Sequence, residues 1–212
     1  MWELNDPKPV KLIVGILAAD RKCLCAAVDA ISTSLGSIDL QSDVWAFDQT
    51  DYYKEQTGQC ILRQFVSLES LIDPGGLAGI KHTTNRLEQD LSRSLASPFP
   101  RPVNLDPGII EPSKLVLATT KNYSHRIYIG EKMFAEVTLI YDKGRWMPLQ
   151  YTYPDYRQQC YHDFFTKVRT RLLEQLRSCT MTRPTCIPPS QCPAADPSRT
   201  HQIDHSGDNP VS

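Results

Sequence analysis

The chain has 212 residues, 41% of them hydrophobic and 22% charged, with a formal net charge of -1. That composition specifies a packed core rather than a disordered chain, and the near-neutral balance excludes a global positive field for nucleic acid or acidic lipid. No run approaches the roughly 20 apolar residues of a membrane helix, the opening residues lack the basic-then-apolar order of a secretory leader, and the seven cysteines include no Cys-x-x-Cys pair, so a cytoplasmic protein with free thiols is expected.

After a lead-in of residues 1–7, the first strand is expected at Val10–Leu17. Asp20 is placed to cap a helix whose apolar positions Leu24, Val28, Ile31 and Leu35 keep helical spacing, and Gly36 ends it. A second strand is read from about Ile38 to Phe47, a polar and aromatic loop from Asp48 to Gly58, and a third strand from about Cys60 to Val66. Asp73-Pro74 opens a second long helix with Leu77, Ile80, Leu87, Leu91 and Leu95 on its buried face. Ser97-Pro98-Phe99-Pro100 breaks the pattern, and Arg101–Leu105 reads as a fourth strand. The order β-α-β-β-α-β is the ferredoxin-like arrangement.

Pro112 to Lys121 is compatible with a short helix or a strand. His125–Ile129 and Met133–Tyr141 form a hairpin around Gly130-Glu131-Lys132, and Asp142-Lys143-Gly144 turns the chain into Arg145–Leu149. The last helix is expected over Arg157–Arg177, with Phe164, Val168, Leu172 and Leu176 as its core stripe. The expected fold class is α+β: a ferredoxin-like core extended by C-terminal β-hairpins and a final helix, in one domain over residues 8–177. From 178 to 212, six prolines and no aromatic residue predict a disordered, Pro-rich tail.

Four segments concentrate reactive side chains. Asp48, Asp51 and Glu55 offer hard oxygen ligands for a magnesium-type ion, with turn capping as the plainer role. Arg101, Asn104 and Asp106 surround a predicted strand end. Asp106-Pro107-Gly108 is a turn signal, and a strand's carboxyl end is a common place for ligand-binding groups. Asn104-Leu105-Asp106-Pro107 also resembles a segment of GPN-loop GTPases. The phosphate-wrapping Gly-x-x-x-x-Gly-Lys-Ser/Thr run is absent, however, so a conventional G-protein mechanism is not expected. Lys114, Lys121, His125 and Arg126 are cations suited to a phosphate or carboxylate, and His125 is an acid or base near neutral pH. A hairpin centred on Glu131 sets Arg126 opposite Glu136, as a structural ion pair or as part of a cleft. Asp155 and Arg157, among tyrosines, can wall a pocket or dock a helix start.

Jointly these groups point to a polar pocket for an anionic, phosphorylated or nucleotide-like small molecule. His125, Asp106 and Glu136 are its candidates for chemistry, and Mg²⁺ is a compatible cofactor. The alternative is a non-catalytic interaction module that presents Tyr52, Tyr53, Tyr151, Tyr153 and Tyr156 to a partner protein. RNA binding on the sheet is not expected, because the tyrosines fall mostly in loops.

Several of these runs carry a family resemblance: Lys11–Gly15, Phe47–Tyr53, Val103–Gly108 with Lys114–Lys121, and His125–Tyr128 continuing through Ala135–Tyr141 and Thr152–Arg157. From Pro9 to about Gln175 the chain resembles the bacterial family catalogued as domain of unknown function 4416. The resemblance implies a bacterial cytoplasmic protein. Some members carry a "GTP-binding" label, but the family brings no established activity and no site residues.

Overall fold

Every residue of the first strand, β1 (Val10–Ala18), is buried. Alternate side chains of a strand point to opposite faces, so such a strand needs cover on both sides. The computed structural model, which describes residues 4–47, 57 and 60–181, supplies it. On one face Leu12, Val14, Ile16 and Ala18 pack with Leu24, Ala27 and Ile31 of α1 (Arg21–Leu35). On the other, Ile13 joins Phe164, Phe165, Val168 and Leu172 of the C-terminal helix, α3 (Gln159–Met181). Asp20 caps α1 by accepting from the Cys23 amide at 2.7 Å, and Gly36 closes it at φ 111°.

The second expected strand is two short ones, β2 (Ile38–Gln41) and β3 (Trp45–Phe47), both paired with β4 (Ile61–Ile72). Ser42 lies at the break, where its hydroxyl accepts from the Phe65 amide while its own amide donates to the Phe65 carbonyl. After a short turn at Pro74–Gly76, α2 runs Leu77–Ser94. Its expected apolar face packs on the core, with Leu77 and Leu91 buried and Ile80, Leu87 and Leu95 partly buried, and the buried stripe also takes in the polar residues Lys81, Thr84 and Glu88.

β5 (Val103–Ile110), β6 (Lys114–Thr119), β7 (Ile127–Gly130), β8 (Met133–Asp142) and β9 (Arg145–Pro148) complete a nine-stranded antiparallel sheet among the described residues. The order β2-β4-β1-β5 is the ferredoxin-like core, and β6, β8 and β7 extend it, with β9 alongside β8. The undecided segment after Pro112 is therefore the strand β6. Both hairpins turn through two residues at positive φ, Glu131-Lys132 and Lys143-Gly144, which suits the twist of the flanking strands. No helix among the described residues is long and apolar enough to cross a membrane. The C-terminal helix runs on to Met181, past the expected boundary at 177, and the rest of the expected tail, 182–212, lies outside the described residues.

Candidate functional site

Asp106-Pro107-Gly108 is not a turn. It lies inside β5, paired along its length with β1, so Asn104 and Asp106 are mid-strand rather than at a carboxyl end. The Pro-Gly pair acts on the other edge. β5 pairs with β6 only from Gly108 to Ile110. At Gly108 a Cβ would meet the Val116 carbonyl and the Leu117 side chain at 2.6 Å, so glycine allows the close approach. Pro107 then has no N–H with which to continue the ladder. The two strands part, and the sheet opens between Val103–Pro107 on one side and residues 118–121 on the other.

Side chains from α2 satisfy the exposed backbone at this opening. Glu88 Oε1 accepts from the Leu105 amide at 2.8 Å, and Lys81 Nζ donates to the Leu105 carbonyl at 2.8 Å. Arg101 holds Glu88 through Nη2 at 2.7 Å and also donates to Asn104 Oδ1. The Asn104 amide donates to Asp106 at 2.6 Å, and Lys81 lies 3.6 Å from the same carboxylate. Burial pushes the Glu88 carboxyl above its ordinary value, against the pull of Arg101 and Lys81.

The opening is a cavity of about 590 Å³. Lys81, Asn85, Arg101, Asn104 and Asp106 form one wall; Thr119, Thr120, Lys121 and Glu136 form the other. Arg63, Tyr153 and Asp155 close it from the α3 side. Glu136 is 3% exposed and is held from behind. Its Oε2 accepts from Arg126 Nε at 2.8 Å and meets His125 Nε2 at 3.1 Å, while Thr138 donates to Oε1 at 3.3 Å. Arg126 also donates to the Tyr153 hydroxyl at 2.6 Å, and His125 stacks on Tyr151 with centroids 3.9 Å apart.

The structure thus brings Arg101, Asn104, Asp106, Lys121, Glu136 and Asp155 around one hollow, although they span more than fifty positions. His125 and Arg126 stand behind Glu136 rather than in the wall. Two expected cations lie elsewhere. Lys114 starts β6 at its far end, paired with Glu111 at 2.7 Å, and Arg157 binds the carbonyls of Leu149, Gln150 and Thr152. Asp155 is not a helix cap but the partner of Arg63 at 2.7 Å. Asp48, Asp51 and Glu55 lie outside the described residues, and among those described no cluster of three metal-binding acids, histidines or cysteines forms.

Arg63, Lys81, Asn85 and Glu88 are the site residues that the sequence reading passed over. Their signal was present. Lys81, Thr84 and Glu88 share helical spacing with Leu77 and Leu91, and Arg63 alternates with Ile61 and Phe65 on one strand face. Polar residues embedded in an apolar stripe are buried polar groups, and such groups require partners.

No curated protein and no solved structure matches the chain. Residues 8–172 match the family model described as a domain of unknown function (DUF4416), a span that contains both cavity walls. On that match the chain belongs to the domain of unknown function 4416 family.

Proposed function

We propose that this domain binds a small phosphorylated molecule in the cavity between β5 and β6. One observation carries the reading: cations from separate parts of the chain converge where the sheet opens. Arg63, Lys81, Arg101 and Lys121 line the cavity against Asp106, Glu136 and Asp155, which leaves one positive charge in excess. Behind them Arg126 and Glu88 offset each other. Arginine and lysine together suit a phosphate, as forked donor and point charge. The volume is that of a metabolite site, and Asn85, Asn104, Thr119 and Thr120 add neutral polar groups that fix orientation. The setting is the bacterial cytoplasm implied by the family resemblance.

The tyrosine patch gains less support. Tyr156 is 2% exposed; Tyr151 and Tyr153 keep exposed surface, but Tyr153 lines the cavity and Tyr151 is stacked on His125, and Tyr52 and Tyr53 lie outside the described residues.

A thermal-shift series with orthophosphate, sugar phosphates, nucleoside monophosphates and citrate, with and without Mg²⁺, tests the reading. A ligand that binds only the native state raises the melting temperature. Phosphorylated compounds should do so, and Arg101→Ala combined with Lys121→Ala should abolish the shift measured against that variant's own baseline. No shift with any phosphate compound, or a shift undiminished in the double variant, overturns it.

A further inference from the structure

We infer that the ligand is a phosphate ester of a polyhydroxylated compound, a sugar phosphate, whose hydroxyls are read by Asp106 and Glu136. This rests on the phosphate-binding reading above and narrows it.

The argument comes from acceptor capacity. An ionised carboxylate has about four lone-pair sites and no proton to donate. Asp106 uses one oxygen for the Asn104 amide, and its other oxygen faces Lys81 at 3.6 Å, an ion pair beyond hydrogen-bonding reach. Glu136 commits Oε2 to Arg126 and His125, but Oε1 takes only the long 3.3 Å contact from Thr138. Two carboxylates with spare acceptor capacity therefore line one cavity from opposite walls. Both repel a bare phosphate dianion, and both accept a hydrogen bond from a hydroxyl.

An ammonium group would also satisfy them. It would cancel the ligand's own charge, however, in a cavity whose lining carries an excess of positive charge. Hydroxyls supply donors and leave the anion intact. A phosphate among Lys81, Arg101 and Lys121, with ring or chain hydroxyls directed at Asp106 and Glu136, meets both halves of the lining.

Calorimetric titration of the full chain with orthophosphate, ribose 5-phosphate, glucose 6-phosphate and glycerol 3-phosphate tests this. The best sugar phosphate should bind about tenfold tighter than orthophosphate, the worth of one charge-assisted hydrogen bond. Asp106→Asn should move the two ligands in opposite directions: orthophosphate tighter, because a repelling charge is gone, and the sugar phosphate weaker, because the ionic acceptor is gone. If wild type binds orthophosphate as tightly as every sugar phosphate, or if Asp106→Asn shifts both ligands the same way, the inference fails and the phosphate-binding reading stands. If none of the four binds, this inference fails, and the phosphate-binding reading fails with it unless a nucleoside monophosphate gives a thermal shift. Should Asp106→Asn not fold, the wild-type ratio decides alone.

Discussion

Arg63 Nη2 donates to Asp155 Oδ2 at 2.7 Å, tying the start of β4 to a carboxylate 92 residues later. The guanidinium lies 5.1–5.7 Å from the ring centroids of Phe47, Phe65 and Tyr156. Burial opposes its charge, but Tyr156 and Asp155 outweigh that and hold its pKa above the ordinary value. The pair fastens the segment before α3 against the sheet, so one side of the cavity is anchored in the core.

Removing one partner of such a pair leaves a buried charge without compensation and costs about 3–5 kcal/mol. Asp155→Ala and Arg63→Met should each lose stability on that scale in urea unfolding. The double variant should lose clearly less than the two combined, because it strands neither charge. A single-variant loss below about 1 kcal/mol would show the pair to be dispensable.

Three glycines should respond differently to alanine. At Gly108 the new Cβ meets backbone, the Val116 carbonyl at 2.6 Å, which cannot yield. At Gly15 it meets Arg63 Nη1 and Phe65 Cε1 at 3.0 Å, side-chain atoms able to shift slightly. Gly79 has nothing within 4 Å and lies in α2. Gly108→Ala should therefore destabilise most. Gly15→Ala should cost about 1–3 kcal/mol, and Gly79→Ala should add about 0.5–1 kcal/mol. Denaturation midpoints of the three variants rank them directly.

The fold was legible because its signals are local. The Asp20 cap, the Gly36 stop, the hydrophobic run of β1 and the two hairpin turns each follow from neighbouring residues. The Arg126–Glu136 contact expected from a turn centred on Glu131 is present, but it is reached differently: the turn sets Gly130 against Met133, and a register shift between Tyr128 and Gly130 then brings Arg126 to Glu136. The site was legible only as a set of polar strand-end segments. Asp106-Pro107-Gly108 read as a turn because its chemistry is that of a turn. Its role here, stopping one ladder while the other continues, depends on which strand lies on each side. The spacing of Lys81 and Glu88 marks them as buried, but not what they pair with: their partner is the Leu105 peptide group, and an unpaired strand edge has no local sequence signature.

Alkaline pH should weaken the fold through its buried phenols. Burial pushes the Tyr161 phenol up from 10.0 to about 12, against the pull of Arg63, and raises Tyr156 as well. The native state then holds protons that the unfolded chain releases. The stabilising contribution is complete below pH 10 and is lost as pH rises through about 12. The unfolding free energy should decline across that interval, with phenolate absorbance appearing as the chain unfolds. Tyr161→Phe should flatten the decline. It should cost little at neutral pH, because the hydroxyl is buried without a hydrogen-bond partner in good geometry. An unchanged slope in that variant would place the titration elsewhere.

The opened sheet makes a residue-specific prediction about amide exchange. An edge amide with no strand partner normally exchanges with solvent, and burying it unpaired carries a penalty. Leu105 has no β6 partner, yet its amide donates to Glu88 Oε1 at 2.8 Å, and that carboxylate is fixed in turn by Arg101. Leu105 should therefore exchange as slowly as the paired residues of β5. Glu88→Ala should speed exchange at Leu105 far more than at Ile109, which pairs with Val116. Glu88→Gln, which retains a side-chain carbonyl oxygen, should preserve much of the protection. Fast exchange of Leu105 in the wild type would mean that α2 does not substitute for the absent strand. The wall of the cavity would then lack the rigidity that its binding role requires.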